Sequence, residues 1–280
     1  MQKTFGNFRT SPLSRTVVPL SGGNNYRKWF RRFLPLVSFT VILVLWQAVT
    51  SFGLIESFLI PAPADVLETF VKVINDGTLL SHAQTTLYET LMGLTFGTLI
   101  GVTLGYLIAR IPVLEAILSP VIVTFQSTPV VAYAPLLVLW FGTGTQSKVV
   151  TSILIVFFPM MMNTIVGIRG VPSDLHDLMR VNNASWRQTF LKLELPAAMP
   201  VLLTGLKTGA TLAVIGAVVG EFVAARSGLG YMVKLATNQY NTPMMFVAVI
   251  ALAIMAGGLY GIITLIEHRL LAWQHRGKHQ

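Results

Sequence analysis

The sequence predicts an all-α integral membrane protein with six transmembrane helices, and three observations carry that prediction. Only 11% of the 280 residues are charged and 53% are hydrophobic, whereas a soluble domain carries roughly 25% charged residues. Six apolar windows recur, at 34–52, 88–109, 114–140, 149–168, 201–225 and 244–266. Each meets the length of about 20 residues that a helix needs to cross a hydrocarbon core of roughly 30 Å. The third observation is the placement of basic residues. Lys3, Arg9, Arg15, Arg27, Lys28, Arg31 and Arg32 all precede the first window with no acid among them, which holds the N-terminus in the cytoplasm.

Six crossings return the C-terminus, with Arg269, Arg276 and Lys278, to the same side. Only Lys72, Lys148, Arg226 and Lys234 of the twenty Lys and Arg residues then lie outside. The net charge of +9 is thus accounted for by topology, with no nucleic acid implied. The expected organisation is a basic cytoplasmic tail over 1–33, a transmembrane domain over 34–270 holding a cytoplasmic loop at 169–200, and a cytoplasmic tail over 271–280. Residues 1–26 lack apolar periodicity and read as an unstructured tail. Trp29, Phe30 and Phe33 form an interfacial belt before the first span. That span reads as a retained anchor, since Gln47-Ala48-Val49-Thr50-Ser51 makes a poor cleavage site.

Beyond span one, Pro61-Ala62-Pro63 sets a rigid turn before a short amphipathic helix over 66–74, placed on the outer face. Span two carries Gly93, Gly97, Gly101 and Gly105. Their spacing strips one helix face of side chains, so another helix can approach closely, within one subunit or across a dimer. The third window holds Pro120, Pro129 and Pro135 and is too long for one straight helix. A break near Gln126, Ser127 and Pro129 makes a candidate wall of a translocation path, because irregular backbone at membrane depth needs protein or a watery cavity around it. Span four ends in Met160-Met161-Met162-Asn163. The methionines suit core gaps or a moving cavity, and Asn163 needs a partner helix or water. Span five ends in Glu221, a costly intramembrane acid that either lines the path or pairs with Arg226.

Between spans four and five runs Asp177–Pro200, rich in Arg, Asn and Gln. Leu175, Leu178 and Met179 share one helical face after a Pro172-Ser173 cap. Trp186, Thr189, Phe190 and Leu193 share another after an Asn182-Asn183 turn. Two short helices joined at that turn are expected. Asn183 suits a left-handed conformation, because its short amide bonds locally.

The spacing of this loop resembles the cytoplasmic motif of the permease subunits of ATP-binding-cassette (ABC) importers: Glu-Ala-Ala, three residues, Gly, nine residues, Ile, one residue, Leu-Pro. Asp177-Leu178-Met179 takes the first position, with larger residues in place of both alanines. Asn183 takes the Gly position and is followed by Ala184, Leu193 takes the Ile position, and Leu195-Pro196 closes the motif. Further resemblance, to the nitrate, sulfonate and taurine class, lies in the Pro-x-Pro segment, in 135–142, in Gly220-Glu221-Phe222 and in Gly228-Leu229-Gly230-Tyr231. The resemblance implies the type I importer permease fold and a coupling element at Asp177, Leu178, Met179, Asn183, Ala184, Trp186, Phe190, Leu193, Leu195 and Pro196. It also implies separate ATP-binding subunits, an extracytoplasmic solute-binding protein, a permease homodimer in the bacterial plasma membrane, and no cofactor.

The residues offer no chemistry of their own. With no cysteine there is no thiolate site or disulfide frame, and the five histidines accompany no carboxylate cluster that would hold a metal. Gly142-Thr143-Gly144-Thr145-Gln146-Ser147-Lys148 lacks the Gly-Lys-Ser/Thr ending of a phosphate-binding loop. A secondary transporter would need more intramembrane charge and an inverted repeat. The wording of 129–135 and 220–222 is closer to vitamin and vitamin-precursor permeases, those for riboflavin or the thiamine pyrimidine, than to those for nitrate, sulfonate or taurine. A non-enzymatic permease for riboflavin or a related compound is the expectation.

Overall fold

The structure, a computed structural model, describes residues 24–53, 55–56 and 58–272; most of the predicted N-terminal tail, residues 273–280 and the side chains of the Trp29, Phe30, Phe33 belt lie outside the described residues. Every regular element among them is helical. α1 spans Asn24–Ser51, α2 Pro63–Asn75, α3 Thr78–Arg110, α4 Pro112–Ser127, α5 Ala134–Phe141 and α6 Thr145–Arg169. They are followed by α7 at Ser173–Val181, α8 at Trp186–Thr189, α9 at Leu195–Ala224, α10 at Leu229–Asn238 and α11 at Thr242–Leu270. Among the described residues, four stretches are long and apolar enough to cross a membrane: Thr78–Arg110, Thr145–Arg169, Trp186–Ala224 and Thr242–Leu270.

The core is a three-layer stack with α6 in the middle. A Cβ on Gly97 would lie 2.8 Å from Val156 Cβ, and one on Gly105 would lie 2.6 Å from Met161 O. Gly93 and Gly101 meet Ser152 and Met160 in the same way. The glycine face of α3 therefore receives α6 inside one subunit, backbone against backbone. On the opposite side of α6, Gly205 meets Asn163, Gly216 meets Ser152 and Gly220 meets Lys148. Contact order along the two seams makes α3 run parallel to α6 and α9 antiparallel to it. Ser152, in contact with glycines of both neighbours, also donates to Ala213 O at 3.0 Å. A second core forms where α2, α3, α10 and α11 meet, built on Val66, Val73, Leu79, Leu229, Met232 and Val247.

The expected break in the window 114–140 divides it into α4, a 3₁₀ turn at Val130–Ala132, and α5. Thr128 is extended (φ −95, ψ 126) because the ring of Pro129 excludes the residue before it from the α region. The structure corrects one expectation: the second short helix of the polar loop is not separate. α8 passes through a π turn, Phe190–Glu194, directly into α9, where Leu195 N–H bonds to Phe190 O. Pro196 has no N–H to close an α turn on Lys192, and the wider turn just before it keeps the helix continuous.

Candidate functional site

Three groups of polar residues stand out against this apolar frame. The first is the knob after α6. Leu175, Leu178 and Val181 on α7 are 40%, 57% and 79% exposed, an apolar face that nothing described covers. α7 ends in a Schellman arrangement: Asn183 N–H bonds to Arg180 O at 3.0 Å and Ala184 N–H to Met179 O at 3.0 Å. Asn183 occupies the left-handed position with φ +50, where a short amide side chain is tolerated. Ser185 and Gln188 then form a capping box, with Ser185 Oγ accepting from Gln188 N and Gln188 Oε1 accepting from Ser185 N at 2.8 Å. This pair satisfies two of the free amides at the start of α8.

A buried carboxylate anchors the knob to the bundle. Glu194 is fully buried, accepts from Tyr106 Oη at 3.0 Å, pairs with Arg110 and lies 3.8 Å from His176 Nδ1. It thereby joins α3, α7 and the α8–α9 helix. Tyr106 also packs edge-on against Phe190, with ring centres 5.0 Å apart, and Phe190 stacks on Trp186 at 6.1 Å. Trp186 keeps 66% of its surface exposed. Of the other predicted coupling residues, Asp177 is exposed and pairs with Arg180 at 3.3 Å. Met179, Ala184, Leu193, Leu195 and Pro196 are half-buried.

The second group surrounds a cavity of about 400 Å³ between the end of α4, α6 and α9, lined by Phe125, Gln126, Thr128, Pro159, Met162 and Leu212 among others. Gln126 lines this cavity, whereas Ser127 is exposed beside it and donates to Val123 O at 2.8 Å. Pro129 is exposed at the break itself. Asn163 is half-buried on the α9 side of α6, where its amide donates to Pro159 O within its own helix at 2.8 Å. Met160 and Met161 are core residues, while Met162 is 43% exposed.

The third group closes the other end of the bundle. Glu221 is fully buried and stands apart from the cavity lining. It accepts from Thr86 Oγ1 at 2.7 Å, Gly230 N at 2.5 Å and Tyr231 N at 3.3 Å, while Arg226 is exposed. Its carboxylate caps the first turn of α10, satisfying N–H groups that have no helical partner. Gly228 (φ +108) and Gly230 leave no room for a Cβ beside that carboxylate. Buried Lys148 donates to Thr143 O, Gly144 O and Ala224 O, closing the end of α9 onto the start of α6. Glu89 is also buried and lies against Glu221.

Sequence reasoning passed over Glu89, Glu194, Lys148 and the capping box. Ser185-x-x-Gln188 was a legible signal, and Glu89 lay inside a predicted span. The roles of Glu194 and Lys148 depend on contacts between distant elements that no local pattern reports.

An apolar helical bundle with broken helices around a cavity and an exposed apolar knob at one end is the architecture of a transport permease. Residues 97–272 match the family of binding-protein-dependent transport system inner membrane components, and the chain belongs to that family. It is a multi-pass inner-membrane permease of the ABC importer type. It is 41% identical to the riboflavin transport system permease protein RibX of Chloroflexus aurantiacus, over 98% of this chain and 99% of that one. It is 33% identical to the putative aliphatic sulfonates transport permease protein SsuC of Bacillus subtilis, over 84% and 85% of the two chains. It is 30% identical to the formylaminopyrimidine transport permease protein ThiX of Halalkalibacterium halodurans, over 89% and 99%. The inward-facing MetNI methionine ABC transporter shares the fold, with a TM-score of 0.62 at 22% identity, over 69% of this chain and 96% of that one.

Proposed function

We propose that this chain is the permease through which riboflavin or a closely related vitamin enters the cell, driven by ATP hydrolysis on separate subunits and supplied by a solute-binding protein. Similarity along nearly the whole chain to a riboflavin permease is the observation that carries the choice of solute. Two copies pair, each crossing the membrane six times with α1 and the α4–α5 unit as additional crossings, and both termini are cytoplasmic. The boundaries at 33 and 270 follow from that layout.

The coupling element is the knob. Leu178, Trp186 and Phe190 enter a cleft of the ATP-binding subunit, and Asp177, Met179, Asn183, Ala184, Leu193, Leu195 and Pro196 shape and orient it. The exposed apolar face of α7 supports this reading, since a patch of that kind rimmed by polar residues marks a protein contact. The chain itself performs no covalent chemistry.

The test is uptake by the assembled transporter, permease with its ATP-binding subunits and solute-binding protein in proteoliposomes. ATP-dependent riboflavin uptake supports the proposal. Uptake of taurine or an alkanesulfonate without riboflavin would move the chain to the sulfonate reading, which the similarity to SsuC favours. W186D and F190D are expected to leave the permease in the membrane but to lose co-purification of the ATP-binding subunit. Normal co-purification would remove the docking role.

A further inference from the structure

α9 carries Thr204, Thr208 and Thr211 at spacings of four and three, hence on one helical face. Thr208 lies at the middle of a 30-residue helix. Thr204 and Thr208 are exposed, Thr211 is half-buried, and no described residue bonds to them from another element. Each hydroxyl proton is spent on its own helix: Thr204 donates to Pro200 O at 2.9 Å, Thr208 to Thr204 O at 3.3 Å, and Thr211 to Thr208 O at 2.9 Å. The outward-facing oxygens therefore offer lone pairs. Three such oxygens in a row near mid-helix can accept from a solute that carries donors, which acyl chains lack. Leu212, adjacent to Thr211, lines the cavity of about 400 Å³ whose walls include Phe125 and Phe158, two rings stacked at 6.5 Å.

The charges nearby are all engaged. Away from the helix ends that bear the knob, the cations of the four long helices are Lys148 and Lys207. Lys148 gives its three protons to three carbonyls, and Lys207 pairs with Glu267 at 2.7 Å. At the knob end, Arg110 is held by Glu194 and Arg169 by Glu115. No described cation remains free beside the cavity to meet an anion.

We infer that the solute path runs along the Thr204, Thr208, Thr211 face and the adjoining aromatic cavity, and that it passes an uncharged, hydrogen-bond-donating, flat solute in preference to an anion. Hydroxyl and imide groups of a solute can donate to the threonine oxygens, and a conjugated ring can lie on Phe125 and Phe158. A nitrate or sulfonate group presents only acceptors to these lone pairs. The inference rests on the permease reading and narrows its solute.

The chain has no cysteine, so single substitutions report water access directly. T204C, T208C and T211C, in the transporter assembled with its ATP-binding subunits, are treated with charged, water-soluble methanethiosulfonates. I250C serves as a control, placed on α11 in an apolar groove. T208C is expected to react at least tenfold faster than I250C, and its modification to abolish riboflavin uptake. Equal, slow reaction at both sites would overturn the path even if riboflavin uptake is normal. T208V, which removes the oxygen and keeps the shape, is expected to raise the KM for riboflavin three- to tenfold at unchanged ATPase coupling, with T208S near wild type. A wild-type KM in T208V would overturn the role of the hydroxyl. If T208C reacts rapidly but the wild-type transporter carries a sulfonate and no riboflavin, the path stands, and both the neutral-solute selection and the proposed solute fail.

Discussion

α6 and α4 are both apolar helices, yet they sit in opposite environments. α6 is gripped on two sides by glycine faces and buries ten of its residues, Met160 and Met161 included. α4 buries none, contains Pro120, and stops at Pro129. Hydropathy alone does not separate the two, because lipid solvates an exposed Leu as well as a core does. The separation comes from backbone proximity. Where Gly removes Cβ, helices lock by close packing, and where Pro removes N–H, the backbone bends and opens a cavity. The locked part is packed to move as one body, and the open part is the wall we propose for the solute path.

Breaking the locked side has the largest expected effect. G101L would drive a branched side chain into Met160 Cβ and Phe157 O, each 2.8 Å from a Cβ at that site, and should destabilise the bundle by about 3 kcal/mol. Thermal unfolding in detergent, followed by monodispersity, reads it out; an unchanged midpoint would mean that the α3–α6 seam is looser than described. K148M comes next. It leaves three part-buried carbonyls without their Lys donor and is expected to cost roughly 1 kcal/mol, visible in the same assay. E194A should be of similar or smaller size, because Arg110 is 35% exposed and can turn to water. Its sharper signature is lost ATPase stimulation at retained expression. On the open side, L139A removes a side chain that is 76% exposed and should shift stability by under about 0.5 kcal/mol. A large loss there would show that α5 is covered by a second subunit.

Much of this contrast was legible before any coordinates. The four-residue spacing of Gly93 to Gly105 announced a close helix contact, and Pro129 announced the break. Asn183 in a left-handed turn followed from its side chain. What escaped was non-local. Glu221 was singled out because an intramembrane acid is expensive. Its expense is met by Thr86 and the first turn of α10, partners that no local pattern around Glu221 reports. Lys148 read as a loop cation because only the fold brings Ala224 O to it. The threonine face of α9 went unremarked since Thr is unexceptional in an apolar helix until the structure shows Thr204 and Thr208 exposed among the described residues. The continuity of α8 with α9 was hidden because no local pattern announces the i to i−5 turn that carries the chain past Pro196.

That turn sets the angular phase of everything on either side of it. A π segment winds less per residue than an α-helix, so tightening Phe190–Glu194 into α geometry with no change of sequence would rotate Trp186 relative to Thr208 by on the order of a quarter turn. One end of the rod would then face a different direction from before while the other stayed still. Five residues thus hold a rotary offset between the proposed docking knob and the proposed cargo route, and shortening the chain there by one residue would test whether the transporter uses that offset.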